Sequence, residues 1–99
     1  MAAKSKILFD KTEVIMLETE GKPQIHNLTY DKIISIQFDK ANAKKLFKAI
    51  PTEKISVMVR GKEKPIIYFL HKEGDFFADY KTGLEKFAHD NRITFHNNL

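Results

Sequence analysis

Residues 75–91 read DFFADYKTGLEKFAHDN, and the architecture of the chain turns on that stretch. Phe77, Tyr80, Leu84, Phe87 and Ala88 recur at spacings of three, four, three and one, which places them on one stripe of an α-helix with Phe76 at its margin. Lys81, Thr82, Glu85, Lys86 and Asp90 fall on the other side. Asp75 and Asp79 sit where the positive end of the helix dipole favours carboxylates, and Asn91 suits a C-terminal cap. Gly83 is the one interior residue that weakens the helix, by about 1 kcal/mol against Ala. A helix with so wide an aromatic face needs a sheet or the mouth of a barrel to cover.

What precedes it reads as strands. Residues 6–10 (KILFD) form a short first strand. Residues 10–12 turn the chain into 13–18, where VIML is a near-continuous apolar run bounded by charges. Residues 19–23 form a loop, because Gly21 permits positive φ and Pro23 cannot continue a ladder. Residues 24–28 are a third strand and 29–31 a connection. Residues 32–38 alternate, with Ile34, Ile36 and Phe38 on one side and Ile33, Ser35 and Gln37 on the other. Residues 54–60 repeat the pattern, with Ile55, Val57 and Val59 inward. A polar turn at 61–64 then leads into PIIYFLH at 65–71, completing a hairpin.

Residues 39–51 carry two conflicting signals. Ala43, Leu46, Phe47 and Ile50 sit at helical spacing, with Asp39 placed to cap a helix that Pro51 would end. A strand over 44–48 would instead complete a run of seven strands before the final helix, and we favour the strand. After the helix, residues 92–96 (RITFH) alternate through Ile93 and Phe95, either pinning the tail to the domain or offering an edge strand to a second copy in a homodimer.

Ninety-nine residues make a single domain, 1–99, and eight Phe with three Tyr are enough large side chains to close its core. The absence of Cys excludes disulfides, thiol chemistry and cysteine-ligated metals, and fits a cytoplasmic protein. The N-terminus meets Asp10 after three apolar residues, so it does not read as a signal peptide, and no apolar run approaches the roughly 20 residues that span a bilayer. The net charge of +4 is unevenly spread. Lys40, Lys44, Lys45, Lys48, Lys54, Arg60, Lys62 and Lys64 face only Glu53 and Glu63 between residues 40 and 64, a balance of +6 that leaves −2 elsewhere. Such a region is either a solvated surface or a footprint for nucleic acid, anionic membrane or an acidic partner. Lys44, Lys45 and Lys48 flank Leu46 and Phe47. Those two are core residues bordered by lysines in one reading, and part of a basic amphipathic turn in the other.

Seven short strands ending in one amphipathic helix resemble the pleckstrin-homology-like superfold, in which two antiparallel sheets form a partly open barrel plugged by the helix. NLTYDKIISIQF (27–38) is similar to a connection and strand of bacterial members. PIIYFLHKEGDFFADYKTGLEKFA (65–88) is similar to their last strand and plugging helix. The resemblance implies a mainly β barrel of about seven antiparallel strands capped by helix 75–91, working as a binding or scaffolding module for a protein or peptide. Two departures stand out. Lipid-binding members place a basic cluster between their first two strands, where this chain has Asp10–Lys11–Thr12–Glu13. Classical members also carry a Trp in the final helix; this chain has none, and the resemblance would give that space to Phe87.

Catalytic chemistry finds little material. His26, His71, His89 and His96 form no tight ligand pair, so no metal site or other cofactor is expected. Ser5, Ser35 and Ser56 lie in no nucleophile turn, and the four glycines are isolated, so no phosphate-cradling loop exists. The chain reads as a non-enzymatic binding module. The alternative is an electrostatic binder of anionic membrane or nucleic acid through residues 40–64.

Overall fold

A computed structural model describes residues 5–19 and 21–99. Residues 1–4, at the start of the chain, and Glu20, in the loop after the second strand, lie outside them. Strands β1 (Ile7–Phe9), β2 (Glu13–Glu18) and β3 (Gln24–Thr29) form one antiparallel sheet in that order. A 3-10 turn at Tyr30–Lys32 leads to β4 (Ile33–Lys45) and β5 (Lys48–Val59), two long strands in one hairpin. With β6 (Ile66–Phe69) and β7 (Thr94–Asn97) they make a second sheet ordered β6-β5-β4-β7. A single helical turn, α1 (Leu70–Glu73), precedes the long helix α2 (Phe76–Asp90).

The helix forms where the stripe predicts, and Phe77, Tyr80, Leu84, Phe87 and Ala88 are all buried. Its end is closed by Asn91, whose Nδ2 donates to Phe87 O, and by the Ile93 N–H, which reaches back to Ala88 O at 2.8 Å. Arg92 takes the left-handed turn (φ 55) that this closure needs. The chain is thereby thrown back onto the second sheet. There Phe95 sets its ring edge-on to Phe38, centroids 4.9 Å apart, and Ile93 packs on the core. The tail is pinned to the domain.

Several expectations are corrected. The two sheets keep separate edges and do not close into a barrel. Seven strands are present among the described residues, but only six precede the helix, and β7 joins β4 in parallel. Residues 44–48 are not a strand of their own. They are the turn of the long β4–β5 hairpin, with extended backbone on both sides and no helix. A register shift between Ile33 and Ser35 inserts one extra residue into β4, turning Ile33 into the core and Ile34 out to solvent; Ile36 and Phe38 stay inside. The strand read at 65–71 ends at Phe69, where α1 begins.

Val14, Met16 and Leu28 from the first sheet meet Ile36, Phe38, Ile55, Val57 and Ile66 from the second in one buried cluster with the helix stripe. Two tyrosines tie the layers together. Tyr68 in β6 donates its hydroxyl to Leu17 O of β2 at 2.7 Å, and the Lys6 N–H donates to Tyr80 Oη at 2.8 Å. Burial, with Tyr80, Glu73 and Glu18 nearby, holds the Tyr68 phenol above its usual range, so it stays a donor. Gly83 also gains a reason. A Cβ there would meet Cε2 and Cζ of Phe9 at 2.5 Å, so the missing side chain is the seat on which the β1 aromatic rests.

Candidate functional site

The β4–β5 hairpin outgrows its sheet. β7 pairs with β4 only through Ser35–Phe38, and β6 pairs with β5 only through residues 54–57. The hairpin is braced where it leaves the body. The His71 N–H donates to Thr52 Oγ1 at 3.2 Å, and Lys81 Nζ lies 2.9 Å from Glu53 Oε1. Beyond that brace stand four rungs with no further strand beside them among the described residues: Asn42↔Pro51, Ala43↔Ile50, Lys44↔Ala49 and Lys45↔Lys48. At about 3.3 Å per residue they carry the tip roughly 13 Å outward. Pro51 lacks an N–H and so suits a ribbon of this kind, where no third strand pairs.

At the tip are Leu46 and Phe47, 94% and 104% exposed. The core reading of these two residues is therefore overturned: both stand in water and neither joins the core cluster. Their connection is a two-residue turn with Leu46 in the left-handed region (φ 57). Glycine or asparagine takes that conformation at low cost, and the turn between β5 and β6 uses Gly61 for it (φ 82). A bulky side chain there costs of order 1 kcal/mol or more, and such outliers gather at functional segments.

The basic region is divided by the fold. Lys40, Lys44, Lys45 and Lys48 ride on the hairpin, whereas Arg60, Lys62 and Lys64 follow the other end of β5, with Arg60 roughly 40 Å along the strand from Lys48. Arg60 there donates to Asp31 O, and Lys62 lies 3.6 Å from Glu18 Oε1, which also contacts His26. Lys54 sits mid-sheet, half-buried, near Asp39. Lys40, Lys44 and Lys48 are exposed, and among the described residues none of them forms an ion pair. Glu53, the cross-strand partner of Lys40, is engaged by Lys81. The cations of the region thus split into exposed lysines on the hairpin, Lys40, Lys44 and Lys48, and a separate set at the far end of β5, where Arg60 and Lys62 are tied into local contacts.

The turn between the first two strands is otherwise occupied. Asn91 Nδ2 donates to Lys11 O at 2.9 Å, fastening the helix end to the turn. The groove beside it mixes Lys11 and Lys86 with Asp10 and Asp90, and Lys86 pairs with Asp90. Among the described residues no cluster of cations gathers there. The histidines are dispersed as well: His26 pairs with Glu18, His71 with Thr52, and His89 and His96 are exposed. Among the described residues no three metal-ligating side chains are grouped. The carboxylates of Asp31, Asp39 and Asp90 are held below their ordinary range by side-chain hydrogen bonds from Thr29, from Asn98 and Gln37, and from Lys86.

No protein-family model matches the chain, and no curated protein matches it significantly. Among solved structures it is similar to the crystal structure of a pleckstrin homology domain from Shewanella amazonensis SB2B. The match covers 87% of this chain and 73% of that one, at a TM-score of 0.51 and 18% sequence identity. At that identity the likeness is one of fold alone.

Proposed function

We propose that this chain, with its pleckstrin-homology-like fold, is a non-catalytic binding module whose contact surface is the tip of the β4–β5 hairpin. One observation carries the reading: Leu46 and Phe47 are fully exposed on a ribbon that the rest of the fold braces but does not cover. Folding gains nothing from two large apolar side chains in water, one of them in a disfavoured backbone conformation. Their presence is explained when a second surface receives them. The fold by itself carries no function. The shifted titratable groups are surface carboxylates in hydrogen bonds and one buried structural tyrosine, which fits a scaffold better than an active site.

A photo-crosslinking amino acid at position 47, compared with the same residue at exposed Thr82 on α2, tests the reading in cells without prejudging the partner. Position 47 is expected to capture a discrete species, whether lipid, protein or nucleic acid, that position 82 does not. Equal and diffuse capture at both positions would defeat it.

A further inference from the structure

We infer that the hairpin tip seats Leu46 and Phe47 in the interface of an anionic lipid bilayer, with the lysines of the hairpin against the headgroups. This rests on the hairpin being the contact surface and names what it contacts. The shape of the tip favours a fluid surface. The tip is a two-residue turn whose exposed large apolar side chains are Leu46 and Phe47, with Ile50 part-exposed two rungs below, whereas a folded protein partner is typically engaged over about 800 Å² on each side. A fluid interface closes around a convex apolar point without any complementary pocket.

Charge points the same way. Lys44 and Lys48 lie within two residues of the apolar pair on either side, exposed and free of carboxylates among the described residues, with Lys40 lower on the same strand. Lysine stems lie along apolar surface while their ammonium groups reach outward, which matches acyl chains beneath a layer of phosphates. No arginine sits on the hairpin to grip one phosphate with a fork, so the tip reads charge density rather than headgroup stereochemistry.

Reach and backbone chemistry agree. Side chains at an interface sit about 5–10 Å deep, and four rungs are long enough to allow that while the two sheets stay in water. Shallow seating also keeps the turn's unpaired backbone groups in the hydrated zone, as they must be. A nucleic acid fits less well. Leucine does not stack on bases, and of Ala41, Asn42, Ala43, Ala49 and Ile50 beside the lysines only Asn42 has a side-chain donor or acceptor for base edges.

The test is sedimentation of the purified full chain with vesicles of phosphatidylcholine alone and of phosphatidylcholine with phosphatidylserine, over a range of salt, beside a DNA duplex of mixed sequence. The chain is expected to bind the phosphatidylserine vesicles and not the neutral ones, more weakly as salt rises. Lys44→Glu with Lys48→Glu should lose at least about 25-fold, from about fivefold per lysine neutralised. Leu46→Ser with Phe47→Ser leaves the charge unchanged and should lose about tenfold or more. All four positions are exposed, so the variants should keep the parent's circular dichroism and melting temperature. Equal vesicle binding by the serine variant would overturn the inference, as would a chain that binds the duplex and no vesicle. If vesicles fail while the crosslinker at position 47 captures a protein, the membrane inference falls and the hairpin reading stands. If position 47 captures nothing, both fall.

Discussion

Gly83→Ala measures how the first strand is seated on the helix. Two effects oppose each other. Alanine in a helix interior is worth about 1 kcal/mol over glycine. Its Cβ, however, would come 2.5 Å from Cε2 and Cζ of Phe9, and the ring must leave. Phe9 is 41% exposed, so only part of the roughly 1.5–3 kcal/mol that burial gives a large apolar side chain is at stake, about 1–2 kcal/mol. In the wild-type background the substitution should therefore be neutral or destabilise by about 1 kcal/mol. In a Phe9→Ala background the ring is gone, and Gly83→Ala should stabilise by about 1 kcal/mol. Urea unfolding of the four proteins gives the coupling directly, expected at about 1–2 kcal/mol. A gain of about 1 kcal/mol in both backgrounds, with coupling below about 0.3 kcal/mol, would show that Phe9 does not rest on Gly83.

Deleting residues 92–99 should cost about 2–4 kcal/mol, because Phe95 leaves Phe38, Ile93 leaves the core and β4 loses its parallel partner; an unchanged unfolding midpoint would mean that the tail is not docked. The Asn98 and Gln37 amides lower the Asp39 carboxyl in the folded state, so their contribution is present above an unfolded value near 3.9 and fades as pH falls through the folded value. Asp39→Asn should shrink the acid-side loss of stability, and a variant whose stability tracks the parent's at every pH would contradict this. The Asp10–Glu13 turn is fastened to the helix end and mixed in charge, so no phosphoinositide should be preferred over phosphatidylserine at equal vesicle charge. A clear preference in sedimentation would place a headgroup site there after all.

Much of the fold is legible because burial writes a period into the chain. The helix stripe and the alternation at 54–60 name their inward residues correctly, since each has water on one side and core on the other. The bulge after Ile33 broke that logic: one inserted residue exchanged the faces of Ile33 and Ile34 without altering their chemistry. The parallel docking of β7 is a non-local pairing that four residues do not announce. Leu46 and Phe47 failed for a different reason. Apolar character says that a side chain leaves water when a place exists, but the sequence does not say whether that place is in the same molecule. The signal was the lysines on either side of the pair, three charges within five residues that no core accommodates. Gly83 read as a cost until Phe9 was found lying against it.

The chain contains no tryptophan, so Phe47→Trp places a single indole at the tip of the hairpin. Its emission on titration with phosphatidylserine-containing vesicles is the most direct test of the account. A tip seated in the bilayer interface gives the spectrum of a water-exposed indole in buffer, then a blue shift and protection from aqueous quencher as vesicles are added, reversed by salt and absent with neutral vesicles. An indole that stays red-shifted and fully quenched, while the protein sediments with the vesicles, would show that another surface makes the contact.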